Sequence, residues 1–133
     1  MKNLKIISIA FALIAIAFVG CNKDEITPQE MLEGKWIIQS SEILTVVVPG
    51  DGSYLQFNPL STDYTGVDYK ASDTTSGTFT YALNSDASVL TIVDGTSDGG
   101  SYNGSWDVLE LTETNFRIVG NTIFGSLKME MTK

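Results

Sequence analysis

The sequence predicts an all-β protein, a small antiparallel up-and-down β-barrel of about eight strands with a short N-terminal helical turn. Three observations lead to this fold class. Between residues 35 and 133, short runs rich in Ile, Val, Thr and aromatic residues alternate with turns of Gly, Asn, Asp or Ser. No helical periodicity follows Gly34, which excludes α/β folds. Within the longer runs, the apolar residues switch between even and odd positions. Such a switch is typical of the β-bulges that a small closed barrel requires.

The first twenty residues have a different composition from the rest of the chain. Lys2 and Lys5 precede a 14-residue run, residues 6–19, in which Ser8 is the only polar residue. A charged segment followed by a short apolar run is typical of a secretory signal. The run is shorter than the roughly 20 residues that a membrane-spanning helix needs. We therefore expect residues 1–20 to be a signal peptide.

The only cysteine of the chain lies at the end of this apolar run. It completes the four-residue stretch Phe18, Val19, Gly20, Cys21. This stretch resembles a bacterial lipobox, although Leu is more common where this chain has Phe18. The resemblance implies that Cys21 is triacylated and anchors the protein, through a tether of residues 21–26, to the outer membrane of a Gram-negative bacterium. The alternative is an ordinary free thiol beside an uncleaved helix.

The tether itself begins with charged residues. Lys23-Asp24-Glu25 resembles the export tag that sends lipoproteins to the cell surface in some Gram-negative bacteria. The alternative is a solvated charged spacer. The two interpretations stay open at this point.

Charge and length exclude several function classes. The chain has 8 basic and 16 acidic residues, and loss of Lys2 and Lys5 with the signal leaves a net charge of about −10. Binding to nucleic acid or to anionic headgroups needs clustered Lys and Arg, so both are excluded. Residues 27–133 suffice for one small domain, which we expect to be monomeric, and no second cysteine is present to form an intramolecular disulfide.

Helix signals agree over residues 26–34. Thr27 suits the N-cap, Pro28 the first helical position and Glu30 the partner position of a capping box, while Gly34 suits the C-terminal end. The predicted helix is too short to be stable alone. We therefore expect it to close one end of the barrel.

Strand signals fill the rest of the chain. The predicted strands are Trp36 to Val48, Ser53 to Asn58, Gly77 to Leu83, Ser88 to Val93, Gly104 to Thr112, Asn115 to Val119 and Ile123 to Thr132, with Gly66 to Lys70 a weaker candidate. In the last of these, Ile123, Leu127, Met129 and Met131 share one face. The residues 49–52 are a predicted turn.

Gly34-Lys35-Trp36 follows the capped helical turn and opens the first strand. This arrangement resembles the Gly-x-Trp signature of lipocalins, and residues 30–133 are similar to small bacterial lipocalin-like lipoproteins. The resemblance implies that Trp36 packs at a closed barrel end against an arginine from late in the chain. Arg117 is the only arginine and the candidate for this role, although it lies earlier than the family's arginine. The alternative is Trp36 as plain core and Arg117 as a surface charge.

The residue types present exclude most catalytic and metal sites. The chain has no histidine and its one cysteine is the lipidation candidate, which removes Ser-His-Asp, Cys-His and ordinary zinc arrangements. The segment from Asp94 to Gly100 lacks the spacing of a calcium loop. We expect no enzymatic activity, no metal and no cofactor.

The candidate ligand-binding residues are aromatic. An eight-stranded barrel is just wide enough to be filled by side chains or to hold one small ligand, and rings at its mouth would suit an apolar or amphiphilic molecule. The residues chosen on this ground are Tyr54, Phe79, Tyr81 and Trp106. Core packing is the alternative role for each of them.

Two further hypotheses concern the protein's surface. Asp73-Thr74-Thr75 resembles an acceptor for O-glycosylation in some Gram-negative bacteria, with Thr74 as the modified residue. The leading function is a lipid-anchored envelope lipoprotein that binds or carries a small apolar or amphiphilic ligand. The alternative is a non-catalytic surface module whose loops, Pro59 to Asp73 and Asp94 to Asn103, contact a glycan or a partner protein.

Overall fold

The computed structural model describes residues 25–59, 64–93, 102–122 and 125–133. These residues form one helix, α1 (Pro28–Leu32), and nine strands. The strands are β1 (Gly34–Ile43), β2 (Val46–Pro49), β3 (Tyr54–Phe57), β4 (Thr65–Lys70), β5 (Thr75–Leu83), β6 (Val89–Val93), β7 (Gly104–Leu111), β8 (Asn115–Thr122) and β9 (Gly125–Thr132). The lipobox residues, Cys21 and Lys23-Asp24 lie outside the described residues.

The strands form a closed antiparallel barrel. Strand β1 pairs with β2 and with β3, each strand from β3 to β9 pairs with the next one in sequence, and β9 returns to pair with β1. The strands β2 and β3 share one edge of β1, because β3 pairs with Gly34–Ile37 and β2 with Ser40–Ile43. The nine strands therefore occupy eight positions around the barrel, which confirms the predicted fold class.

Helix α1 forms through the predicted capping box. The Thr27 hydroxyl accepts a hydrogen bond from the Glu30 backbone N–H (3.3 Å), and the Glu30 carboxylate accepts one from the Thr27 backbone N–H (2.7 Å). The helix is shorter than predicted and ends at Leu32. Glu33 is already extended, and Gly34, with φ of +110°, turns the chain into β1.

The fully buried Leu32 and an aromatic cluster fill the barrel beside α1, and we call this the closed end. The Trp36 ring lies 5.3 Å from that of Phe116, and Phe57 lies 6.1 Å from Phe116. The Trp36 Nε1–H donates to the Leu32 carbonyl oxygen at 2.7 Å. The helix is thus joined to the core, as the sequence predicts for an element that cannot be stable alone.

The segment Trp36 to Val48, predicted as one strand, is a hairpin. Leu44 and Thr45 form its two-residue turn with φ of 49° and 71°, so both lie in the left-handed region. The predicted turn at residues 49–52 is instead a break between β2 and β3, which both run antiparallel to β1. The prediction of a single strand is wrong because Leu and Thr are not residues that mark such a turn.

The changes of apolar parity in β1 and β7 are β-bulges, as predicted. The register shifts between Ile38 and Ser40 in β1 and between Val108 and Glu110 in β7. The first bulge puts Ser41 on the inner face that Ile38 also occupies. Among the described residues, α1 is far too short to cross a membrane.

Candidate functional site

A cavity of about 330 Å³ lies at the barrel end opposite α1. We call this the open end; it contains the turn of the β1–β2 hairpin and the turn at residues 71–74. The cavity is lined by Ile38, Ser41, Ile43, Val48, Pro49, Gly50, Asp51, Ser53, Asp68, Lys70, Thr75, Tyr102, Leu127 and Met129.

One wall of the cavity is apolar and comes from β1 and β9. Ile43 is paired with Leu127, and Ser41 with Met129, so these side chains lie on one face of the sheet. The bulge after Ile38 is what turns Ser41 and Ile43 inward. Without that extra residue, both side chains would point to the outside of the barrel.

The opening of the cavity lies beside β2. Within the part of the chain that the structure describes, β2 pairs with β1 alone, whereas β3 pairs with both β1 and β4. The barrel wall therefore parts above β3, between β2 and the turn at residues 71–74. Val48 and Pro49 form one side of this gap, and Lys70 and Thr75 form the other.

A hydrogen-bonded staple fixes the lower edge of the gap. The buried Ser53 hydroxyl donates to Asp51 Oδ1 (2.6 Å) and accepts from the Ala71 backbone N–H (3.0 Å). The Ser53 carbonyl oxygen accepts from the Ile38 backbone N–H (2.9 Å). The hydrogen bonds from Ser53 lower the pKa of Asp51, so this carboxylate is ionised and held at the rim.

Asp68 brings a carboxylate into the interior of the barrel. Its exposed fraction is 4%, and it lies on the inward face of β4 with Gly66. Tyr102 lines the same cavity, and the pKa of its phenol is raised, first by burial and then by the negative charges of Asp68 and Asp51. The cavity thus combines an apolar wall with a buried acid and a phenol on the opposite side.

Lys70 lies at the rim and is paired with an acid outside the cavity. Its Nζ is 3.0 Å from the Asp73 carboxylate, and its side chain is 50% exposed. The Thr75 hydroxyl and then Lys70 lower the pKa of Asp73 to about 2. Asp73 therefore stays ionised and forms a solvent-exposed ion pair with Lys70.

The predicted ligand-binding residues do not line this cavity. Phe79 and Tyr81 are buried around Phe57 towards the closed end, with ring centroids 5.5 and 5.0 Å from it. Tyr81 donates from its hydroxyl to the Asn58 carbonyl oxygen at 3.0 Å, and burial is the main reason that its phenol pKa is raised. For these two rings, the structure favours the core role that the sequence left open.

Trp106 lies next to the cavity without lining it. Its Nε1–H donates to the carbonyl oxygen of Tyr102 at 2.8 Å, and the ring packs on Gly120, where a Cβ atom would come within 2.7 Å of it. Tyr54 lies on the outer face of the barrel. Its ring stacks on Tyr69 at 5.0 Å, with Lys35 Nζ 3.9 Å from the Tyr54 centroid. Ligand contact by Tyr54, Phe79, Tyr81 and Trp106 therefore gains no support from the cavity.

Gly34 and Trp36 take the predicted signature positions at the closed end, but Arg117 does not stack on Trp36. Arg117 points outward and pairs with Glu110 (3.2 Å) and Glu130 (3.7 Å). The cation over the Trp36 ring is Lys133, whose Nζ is 4.6 Å from the ring centroid and donates to the Met31 carbonyl oxygen at 2.6 Å. The prediction that Arg117 stacks on Trp36 is wrong because residue 117 lies on the outward face of β8, between the buried Phe116 and Ile118.

Thr74 is exposed in the turn between β4 and β5, with φ of 58°. Its hydroxyl donates to the Asp73 carbonyl oxygen at 2.7 Å. Its glycosylation stays a prediction. The region Pro59 to Asp73, proposed as a contact loop, contains β4, and residues 60–63 and 94–101 lie outside the described part.

Comparison with known proteins agrees with this architecture. The family model of the lipocalin-like domain matches residues 32–118, which is more than half of the chain. This chain belongs to the lipocalin-like domain family. Lipocalin-like domains are in general non-enzymatic, and their fold supports a ligand-binding or carrier role in broad terms. No curated protein matches the sequence.

Two solved structures share the fold of this lipocalin-like domain. One is a lipocalin-like protein from Bacteroides uniformis ATCC 8492, with 15% identity and a TM-score of 0.58. The other is an uncharacterized protein from Bacteroides eggerthii DSM 20697, with 16% identity and a TM-score of 0.53. Each alignment covers 77% of this chain and 98% of the other. At these identities the likeness concerns the fold alone.

Sequence reasoning missed the polar side of the lipocalin-like cavity. Asp68, Tyr102 and Ser53 are not among the candidates from the sequence, because those candidates are aromatic residues within predicted strands. One signal was available in the stretch Gly66-Val67-Asp68-Tyr69. Alternate residues of a strand lie on the same face, so Asp68 points inward if the small Gly66 does. The structure has this parity, with Val67 and Tyr69 half-buried on the outside.

In the described parts of the chain, no group of three or more acidic, His or Cys side chains could hold a metal ion.

Proposed function

We propose that this protein is a lipid-anchored lipoprotein of the cell envelope whose lipocalin-like barrel binds or carries one small apolar or amphiphilic molecule, as a monomer and without catalysis. The open-end cavity carries the proposal. Its volume of about 330 Å³ is at the small end of the roughly 300–1,000 Å³ of small-molecule sites. Its apolar wall faces a polar side, which suits a molecule with an apolar body and one polar group.

The position of α1 relates the anchor to the cavity. Helix α1 is joined to the closed end through Leu32 and Trp36. Between Cys21 and the N-cap Thr27 the chain can span at most about 20 Å. A lipid on Cys21 would hold the closed end near the outer membrane, and the cavity would open on the far side. The ligand would then exchange with the surroundings of the cell envelope rather than with the anchoring bilayer.

The surface-module alternative is less well supported. It needs the segments 59–73 and 94–103 to form one contact face. The segment 59–73 contains strand β4 and runs from the closed end, after β3, to the turn at residues 71–74 at the open end. It is therefore not a single loop at one end of the barrel, and we favour the cavity.

The cavity is tested by native mass spectrometry of protein extracted from the membranes of its own host. We expect a small molecule to copurify with the wild type. Leu127→Trp fills the cavity from its apolar wall and should abolish the copurifying mass. Leu109→Trp makes the same change at an exposed position of β7 and should retain it. A wild type without ligand, or equal occupancy in both variants, would contradict the proposal.

The anchor is tested separately by membrane partitioning. Cys21→Ser removes the acceptor thiol and should move the domain from the membrane to the soluble fraction. Circular dichroism should show the same β-rich spectrum for the released domain. A variant that still partitions into membranes would refute lipidation at Cys21.

A further inference from the structure

The charge of the cavity differs between its interior and its rim. Asp68 lies inside with an exposed fraction of 4%, and Asp51 is held at the lower edge of the gap by Ser53. Among the described residues that line the cavity, the basic one is Lys70, whose side chain is 50% exposed and whose Nζ lies 3.0 Å from the Asp73 carboxylate. Of the described charged residues that line the cavity, the carboxylates therefore lie in its interior and at its lower edge, and the lysine lies at its rim.

We propose that the ligand carries a cationic group, such as a protonated amine on an apolar body, and that the carboxylate of Asp68 binds this group inside the cavity. This inference rests on the proposed function and adds the chemical class of the ligand. The apolar body would lie against Ile43, Leu127 and Met129. The amine would point across the cavity to Asp68, with the phenol oxygen of Tyr102 beside it as a hydrogen-bond acceptor.

Burial decides which charge dominates. An ion pair that water surrounds contributes little, whereas the attraction between two charges grows several-fold when water is excluded. Lys70 at the rim is surrounded by water, whereas water is largely excluded from the buried Asp68. A ligand carboxylate would have to compete with Asp73 for Lys70 in solvent and would also be repelled by Asp68.

The pKa shift of Tyr102 agrees with this distribution of charge. Among the charges that shift its pKa, Asp68 and Asp51 raise it and act more strongly than Lys70, which lowers it. The net potential at this position of the cavity wall is therefore negative. A negative potential favours a cation over a neutral or anionic group of the same size.

The cavity volume limits the size of the ligand. At about 30 Å³ for each water-sized group, a volume of 330 Å³ holds on the order of ten non-hydrogen atoms. Octylamine, 1-octanol and octanoate match this size and share the same alkyl body. At pH 7 they carry a positive, a zero and a negative charge, since amines resemble lysine and fatty acids resemble glutamate in pKa.

The test measures the dissociation constants of these three compounds by isothermal titration calorimetry at pH 7. For the wild type we expect octylamine to bind at least about tenfold more tightly than 1-octanol, and octanoate to bind most weakly. Asp68→Asn should abolish the preference for the amine and leave the affinity for 1-octanol nearly unchanged. Asp107→Asn removes the same charge from the outer face of β7 and should retain the preference.

The wild-type ranking and a second variant keep the inference testable if Asp68→Asn does not fold. Lys70→Met should leave octylamine binding unchanged or tighter. Equal affinity for amine and alcohol, or tightest binding of octanoate that Lys70→Met abolishes, would overturn the cationic ligand while leaving the proposed function intact. No binding of any of the three compounds would overturn both proposals.

Discussion

The two ends of this barrel are built from the same strands but are filled in opposite ways. At the closed end Leu32, Trp36, Phe57 and Phe116 have essentially no exposed surface. The three aromatic rings pack against one another. At the open end the corresponding space is lined by aliphatic side chains, hydroxyls and one buried acid. Large rings close an eight-stranded barrel, whereas smaller side chains leave room for one ligand.

The two tryptophans make this comparison sharper, because they use the same local arrangement. Gly34 and Gly104 have φ of +110° and +133°, and each lies two residues before a tryptophan. Trp36 and Trp106 both donate from Nε1 to the carbonyl oxygen four residues earlier, at 2.7 and 2.8 Å. Since β1 and β7 run in opposite directions, the arrangement appears once near each end.

What lies beyond each tryptophan determines the difference. Trp36 is covered by α1 and by Lys133, so no space remains behind it. Trp106 is hydrogen-bonded to the backbone carbonyl oxygen of Tyr102, and the side chain of Tyr102 lines the cavity. The barrel thus has a tryptophan beneath a helix at one end and a tryptophan beside a cavity at the other.

Truncation of the closed end should have the largest effect on stability. Trp36→Ala removes a fully buried ring and its hydrogen bond, and should lower the free energy of unfolding by about 3–5 kcal/mol. Leu127→Ala at the open end should cost only about 1–2 kcal/mol, because this half-buried side chain already borders a cavity. Urea unfolding followed by circular dichroism measures both. Equal losses would mean that the two ends are packed alike.

The staple at the cavity rim should have the next largest effect. Ser53→Ala deletes a buried hydroxyl with two hydrogen bonds and should cost about 1–2 kcal/mol. Ser88→Ala is the matched control, since Ser88 makes the same contact with Asp86 (2.7 Å) in an exposed turn at the closed end. It should cost less than about 0.5 kcal/mol in the same urea experiment. A control as costly as Ser53→Ala would show that burial does not distinguish the two turns.

Alkaline pH should destabilise the fold through its buried phenols. The folded-state pKa values of Tyr102 and Tyr81 are raised, chiefly by burial. Their contribution is fully present below about pH 10, where unfolded tyrosine ionises. It is lost as the pH rises through the folded pKa.

Urea midpoints at pH 8 and pH 10.5 measure this loss. Tyr102→Phe should reduce the loss of stability between the two values, and Tyr81→Phe should do the same at the other end. If the Tyr102→Phe variant and the wild type lose equal stability, Tyr102 does not lie in the low-dielectric environment that the structure gives it.

The smallest effect concerns Asp73 in the turn beside the cavity. Its pKa of about 2 is caused first by the Thr75 hydroxyl and then by Lys70. Thr75→Val should therefore raise the pKa of Asp73 towards the ordinary value of 3.8 in an NMR titration. The stabilising contribution of this ionised group is present above about pH 3.8 and is lost as the pH falls through 2. An unchanged pKa in Thr75→Val would assign the shift to Lys70.

The fold could be predicted largely because its signals are local. The capping box of Thr27 and Glu30, the turn residues and the change of parity at each bulge all lie within a few residues in sequence. The β1–β2 hairpin could not be predicted, since Leu44 and Thr45 adopt positive φ without Gly or Asn. Its conformation is imposed by the pairing of β1 with β2 and β9.

The candidate site was harder to predict because it depends on which face of a strand turns inward. In β4 the apolar Val67 and Tyr69 face outward, and Gly66 and Asp68 face the interior. Hydrophobic alternation assigns this strand to the wrong face. The cation over Trp36 was also assigned wrongly, since Lys133 is distant in sequence and only the closed barrel brings it to α1.

The two indole N–H groups test the central claim, that the open end binds a ligand and the closed end does not. The chain has two tryptophans, so its ¹H–¹⁵N spectrum contains two indole signals. On titration with octylamine, the Trp106 signal should shift, because its hydrogen-bond acceptor belongs to Tyr102 at the cavity, while the Trp36 signal stays in place. A shift of the Trp36 signal alone, or of neither signal at saturation, would contradict the account.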